Sequence, residues 1–468
     1  MPPRPPAARR SRTRHSPIAI GWLIVAWVVG LLGIGPAAVL AADPTPTPAP
    51  TRPPVRVVTL SPTPGPAGPT VLGSSVTFHG RGYGHGVGMS QYGARGRALA
   101  GRTAEEILAH YYRGATIGTI PVETPIRVRV LAAFKASAAT PLVLYGRRGD
   151  WSIDGVDRVF PRDAKVTVVP STSDGTTTWR VKVVSAGGAT LHHAATKSFR
   201  MRGASGATTL QVWSRTSTKD EYRGVIRVRL TATTTTANVV NELPLETYLR
   251  GVVPAEMPST WPAEALEAQS IAARSYAARR LRPGVSYYDV KDDTSSQVYL
   301  GREGEKAATD AAIAATAGVV LRSGSAVANT LFHSAGGGAT EHNENVYVSA
   351  TGAKVAGPVS YLRGSSDRAP DGTAYDAASP YATWKTATYS RSQLSTWFAA
   401  DARTNVGSLT ALDLRDRGVS GRLISVTLIG SLGTKKVSGD VFRAVFNAKR
   451  PATDPQMRST LVDTRPIP

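Results

Sequence analysis

The chain has 468 residues, too many for one small domain, and 41% are hydrophobic, enough to build a core. Lysine plus arginine number 55 against 33 aspartate plus glutamate, a formal charge of +22, so an anionic neighbour is expected: nucleic acid, a membrane surface or an acidic polymer. Cysteine is absent, which excludes disulfides, thiolate metal sites and a cysteine nucleophile. Arg9, Arg10, Arg12 and Arg14 precede an apolar run from about Ile18 to Ile34, followed by Pro36 and small residues up to Ala42. Residues 1–42 therefore read as a secretory signal peptide cut near Ala41 or Ala42. The alternative is an uncleaved membrane anchor, because the run approaches spanning length. Either reading puts the remainder outside the cytoplasm and argues against nucleic acid. Residues 43–72 are rich in proline and threonine and read as a semi-rigid spacer.

In residues 78–92, glycine occupies positions 80, 82, 84, 86 and 88. An extended chain would show one bare face and one carrying Arg81, Tyr83, His85, Val87 and Met89. A bare face suits either tight structural packing or close approach of a ligand. The spacing is not that of a nucleotide loop. A helix is expected next, with Thr103 as N-cap and Glu106 completing a capping box, ending near Gly114. From 119 to 236 β-branched residues alternate with basic ones, as in Val225-Ile226-Arg227-Val228-Arg229-Leu230. This pattern predicts a β-rich accessory unit with one packed and one cationic face. His192 and His193 are adjacent in such a strand, face opposite ways and read as ordinary surface.

Glu256 lies between Pro254 and Pro258, after an expected apolar turn at Gly251-Val252-Val253. A rigidly held carboxyl among apolar neighbours is placed for a raised pKa and general-acid work, and a plain surface glutamate is the rival reading. An alanine-rich helix is expected from about Pro262 to Leu281. Gln269 falls on its stripe of Ala265, Ala272 and Tyr276, to satisfy a buried group or line a cleft, while Arg274 on another face could pair with a carboxylate. A second helix is expected from about Glu303 to Ala317. His333-Ser334 beside Gly336–Gly338 is not read as a nucleophile pair, since neighbouring strand residues point apart.

The run Leu243 to Pro258 resembles the signature of SpoIID/LytB domains, and Ala265 to Ala277 resembles the helix that follows it. Ser295–Tyr299, Phe332–Gly337, the 80–92 segment with Ile107 to Tyr112, and Gly430 to Arg443 extend the likeness from about residue 75 to about 460. It is weakest in the strand-rich middle. The resemblance implies an α+β, β-rich fold with a few helices. Residues 237–460 would be the catalytic domain, 73–118 a circularly permuted part of the same unit, and 119–236 an inserted β-rich unit. In the usual family order the glycine segment follows a strand like Arg458-Ser459-Thr460, whereas here it stands at the front.

The family acts on peptidoglycan. Sporulation protein D is a lytic transglycosylase, and LytB-type relatives are described as enhancers of wall amidases. The family's catalytic glutamate falls on Glu256. The implied reaction cleaves the bond between N-acetylmuramic acid and N-acetylglucosamine and leaves 1,6-anhydro ends, on strands already stripped of stem peptides. Gln269, Arg274, Tyr276, Gln297, His333, Tyr83, His85 and Gln91 are the expected substrate contacts. A cleft lined by Ala265, Ala272, Ala273 and bare glycine backbone would grip sugar rings closely. No cofactor and no metal are expected. A non-catalytic enhancer partnered with a cell-wall amidase is the rival reading. The basic charge would retain a secreted or membrane-anchored protein on anionic wall polymers.

Overall fold

The computed structural model describes Leu60 and residues 67–231 and 235–467. The expected signal or anchor segment, and the spacer up to Pro66 apart from Leu60, lie outside the described residues. The fold is α+β and strand-rich.

Alternation of apolar and polar residues over 125–244 produces two antiparallel-dominated sheets facing one core. One has six strands in the order Thr190–Thr196, Thr176–Val184, Lys165–Ser173, Leu142–Arg147, Thr209–Gln211, Glu221–Tyr222. The other has seven: Val290–Lys291, Pro125–Lys135, Thr236–Pro244, Val225–Leu230, Ser198–Gly203, Trp151–Ile153, Val159–Phe160. Inward residues of both sheets, such as Leu144, Val166, Trp179, Val128, Met201 and Val228, share a single buried cluster. Thr236–Pro244 and Val290–Lys291 belong to this sheet, so the β-rich unit extends past residue 236. The same cluster continues into Leu245, Tyr248, Leu249 and Val252 of the next helix, which ties the sandwich to the signature segment.

The described residues form eight α-helices, in chain order α1 (Gln91–Leu99), α2 (Ala104–Tyr111), α3 (Leu245–Glu256), α4 (Ala263–Ala278), α5 (Ala307–Ala315), α6 (Asn343–Val346), α7 (Arg391–Ala399) and α8 (Gly439–Lys449). Thr103 and Glu106 form the expected capping box of α2. A second core joins Val87, Met89, Ile107, Leu108, Tyr111 and Tyr112 to Ala265, Leu266, Ala268 and Ala272 of α4, so the front of the chain packs on the signature helix. A third core lies under the four-stranded sheet of Thr70–Val71, Leu409–Asp413, Ser425–Gly430 and Gly433–Ser438, with α7 and α8. Phe78 enters it edge-on to Phe442 and Phe446.

The glycine segment and the C-terminal stretch around Ser459 lie side by side. Val462–Asp463 pairs antiparallel with His79–Gly80. The Ser459 hydroxyl donates to the Arg81 carbonyl at 2.7 Å across 378 residues of chain. These hydrogen bonds tie together two segments that are remote in sequence.

Candidate active site

Leu245, Tyr248, Leu249 and Val252 recur at helical spacing and bury one stripe of α3. The expected turn at 251–253 is therefore helix. Pro254 lacks the N–H that would reach back to the Arg250 carbonyl, a loss that is tolerated in a last turn. Gly251 is required, because a Cβ there would meet the Tyr299 ring at 2.6 Å. Glu256 ends the helix, where the unpaired carbonyls disfavour a negative charge. Burial raises its pKa above the usual 4.5, offset in part by the Gln91 amide and the Val298 N–H. Gln91 Nε2 lies 3.4 Å from Glu256 Oε2.

Gln91 is delivered by the glycine segment. That segment is not the expected extended ribbon with one bare face. Gly82, Gly84, Gly86 and Gly88 all have positive φ, between 71° and 103°. Only glycine adopts such a repeat without strain. The chain is pressed against protein: a Cβ at Gly84 would sit 2.9 Å from the His333 Cβ, and one at Gly88 only 2.0 Å from the Leu331 carbonyl oxygen. The glycines thus serve internal packing. His85 Nδ1 accepts the Val87 N–H at 3.0 Å. Burial first, then Arg422, lowers the His85 pKa to about 4. His333 Nδ1 lies 3.2 Å from the Val87 carbonyl, which fixes the Nδ1–H tautomer and leaves buried Nε2 without a hydrogen-bond partner. Burial first, then His85, keeps His333 well below its ordinary pKa and neutral.

These elements enclose a cavity of about 510 Å³ lined by Tyr83, His85, Gln91, Glu256, Tyr276, Gln297 and His333, together with Thr294, Ser296, Val298, residues 331–334 and Tyr347. Glu256 is the one carboxyl among the lining residues. A larger cavity of about 680 Å³ is lined by Arg81, Arg368, Arg417 and Asp463, but that aspartate is paired with Arg417 at 2.8 Å.

Residues 233–322 match the family model described as SpoIID, stage II sporulation protein. Over that segment the chain is similar to SpoIID proteins. It is similar to an uncharacterised protein of Brachyspira hyodysenteriae, 39% identical over 111 residues, which are 23% of this chain and 30% of the relative. Similarity to the amidase enhancer of Bacillus subtilis is 29% over 183 residues, 37% of this chain and 25% of that protein. Similarity to stage II sporulation protein D of Bacillus subtilis is 51% over 45 residues, 10% of this chain and 13% of that protein. The chain thus covers less than a third of each relative. No solved structure matches.

Two of the expected contacts on the SpoIID helix α4 do not reach the cavity. Arg274 is fully buried, and both its Nε and one terminal nitrogen lie 2.7 Å from the Glu246 carboxylate, with further bonds to the Val319 and Ile313 carbonyls. Its planar fork is used up as an internal strut. Gln269 is also fully buried, and neither amide atom has a hydrogen-bond partner. Ala265, Ala272 and Ala273 are core residues and line no cleft. Gln297 is buried but does face the cavity, held by the Tyr248 hydroxyl at 3.3 Å.

The sequence reading missed Thr294, Ser296 and Tyr347. The polar run Asp292–Gln297 was a usable signal for the first two, and Tyr347 had none. It also missed Arg280, whose guanidinium sits 3.2 Å from the centre of the Tyr276 ring and fixes that ring at the cavity wall. Glu341, between His333 and His342 in sequence, accepts from the Val419 and Ser420 N–H groups and from Asn345, and so anchors a loop. Among the described residues no group of three or more His, Asp or Glu is close enough to hold a metal ion.

Proposed function

We propose that the protein is a lytic transglycosylase acting on the glycan strands of cell-wall peptidoglycan, with Glu256 as acid and then base. The observation that carries this reading is the single raised carboxyl in the cavity. Glycosidases that use water or a covalent nucleophile need two carboxylates, whereas attack by the sugar's own hydroxyl needs one. Protonated Glu256 would give its proton to the glycosidic oxygen as the C1–O bond breaks. The muramyl 6-hydroxyl oxygen would then close on C1 and return its proton to the Glu256 carboxylate, restoring the starting state. Gln91 would orient the carboxyl, and His333 Nε2 would accept from a sugar hydroxyl. The match of residues 233–322 to the SpoIID family model and the likeness to stage II sporulation protein D support a cell-wall-related role.

The test is mass spectrometry of products from purified glycan. Glu256→Gln keeps shape and removes the titrating proton, so cleavage should fall by roughly 10²–10⁴-fold in a folded protein. Near-normal yield of 1,6-anhydro ends from that variant would refute the mechanism. Intact and amidase-treated sacculi, compared in the same assay, test the preference for stripped strands that the family resemblance implies. Likeness to an amidase enhancer favours a second reading, a glycan-binding stimulator of a wall amidase. Under that reading no anhydro ends form, and added amidase turns over faster with the wild type and with Glu256→Gln alike.

A further inference from the structure

The outer face of the seven-stranded sheet carries a row of cations. The register pairs Arg200 with Arg227, Arg227 with Val240, Val240 with Arg129, and Arg129 with Lys291. Adjacent strands lie about 4.8 Å apart, so two pairs of cations, separated by Val240, stand in one row over roughly 20 Å. All four are half-buried and none belongs to the sandwich core. Like charges in cross-strand register destabilise a sheet. Glu242 relieves Arg200, at 3.0 Å, and Arg227, at 3.4 Å.

The other end of the row is not neutralised in that way. Arg129 lies over the Tyr288 ring at 4.6 Å, and its neighbour on the same face, Arg229, over the Tyr287 ring at 4.9 Å. Neither arginine nor Lys291 has a carboxylate within ion-pair distance among the described residues; Asp293, bonded to Ser295, feels the charge of Lys291 and Arg129 only at longer range. The tyrosines hold the guanidinium planes without neutralising their charge. Lys291 leads toward Thr294, Ser296, Gln297 and Val298, which line the cavity of Glu256.

We infer that this row is a docking track for a phosphodiester-linked wall polymer, which seats the protein with its cavity toward the glycan. Arginine forks match phosphate oxygens, and a line of cations in two pairs suits successive charges on a chain better than one compact ligand. A lipid surface fits less well, because the loop bearing both tyrosines offers one exposed large apolar side chain, Val285. The inference rests on the wall location proposed above and not on the cleavage chemistry, since binding is read without turnover.

The test is co-sedimentation of the full chain and its Arg129→Gln/Arg229→Gln/Lys291→Gln variant with three partners: sacculi carrying poly(glycerol phosphate), the same sacculi stripped of it, and phosphatidylglycerol vesicles. On native sacculi the variant should bind on the order of tenfold more weakly. The gap should close on stripped sacculi and at high salt. Lys291→Gln alone provides a smaller loss should the triple variant fold poorly. Equal binding of native sacculi by wild type and variants, wild-type binding indifferent to stripping, or tighter binding to vesicles than to sacculi would each overturn the inference.

Discussion

The sandwich and the cleft are built by different means. In the sandwich, partners such as Arg200 and Glu242 lie 42 residues apart, side chains alternate in and out, and ion pairs sit on the surface. Around the cleft, contacts join residues 165 apart at Gln91–Glu256, 246 apart at Val87–His333 and 270 apart at Arg97–Asp367, and several of the charges are buried. A repeated pattern can specify the first kind of structure, because each strand needs only the right period. The second kind depends on individual polar groups meeting across long loops. Substitutions of the same chemical type should therefore have unequal effects in the two regions.

The largest difference is expected from matched arginine replacements. Arg274→Met strands the Glu246 carboxylate and should cost about 3–5 kcal/mol. Arg202→Met removes a surface partner of Asp154 and should cost about 0–1 kcal/mol. Chemical denaturation of both variants checks this, and equal losses would break the comparison. Next is Gly88→Ala, where φ is +71° and the new Cβ would lie 2.0 Å from a backbone oxygen. The left-handed conformation alone should cost about 1–3 kcal/mol. Because Gly88 stands just before Met89 and Gln91, glycan binding should weaken as well. Full retention of both stability and binding would show that the segment is not wedged as described.

What was legible in the sequence follows the same division. The strand Val225–Leu230 and the capping box at Thr103 were readable because each is a local pattern with a local cause. Helix α3 was obscured by Pro254, although Leu245, Tyr248, Leu249 and Val252 already had helical spacing. Helix α1 was missed because Gly93 and Gly96 lower helix propensity. Gly93 is there because a Cβ would collide with Asp367 and Tyr111, residues far along the chain. The glycine segment looked extended because period 2 resembles a strand, and nothing local announces four positive φ angles. The burial of Arg274 against Glu246, 28 residues away, could be imagined from sequence but not distinguished from a place in the cleft.

Acid sensitivity is a smaller effect and again separates the regions. His85 and His333 line the cleft and His110 is buried in α2 beside Arg97, and burial is the leading cause of lowered pKa for each, to about 4 for His85 and about 2 for His110. The unfolded chain binds these protons below 6.5 while the folded chain does not, so stability falls as pH drops through that range. His192 and His193, on a sandwich strand, are not deeply buried. His85→Gln should make the unfolding midpoint less sensitive to acid. A midpoint that still follows pH as it does in the wild type would overturn this expectation.

The smallest expected effect concerns Glu256 itself and has the opposite sign. Its folded pKa is raised above 4.5, so the folded state holds that proton more tightly than the unfolded chain does. Between the ordinary value and the raised one, stability declines as pH increases, and above the raised value the full cost of an ionised, desolvated carboxylate is present. Glu256→Gln removes that titration while keeping the side chain's shape. The variant should therefore be more stable than the wild type at neutral pH, with the gap shrinking toward zero as pH falls below about 4. Histidine protonation affects both proteins alike and cancels in the difference. Thermal unfolding of the pair from about pH 4 to about pH 8 measures the gap directly. A gap that narrows with rising pH would mean the carboxylate is stabilised in the fold, and Glu256 would then be poorly suited to give up a proton to a leaving group.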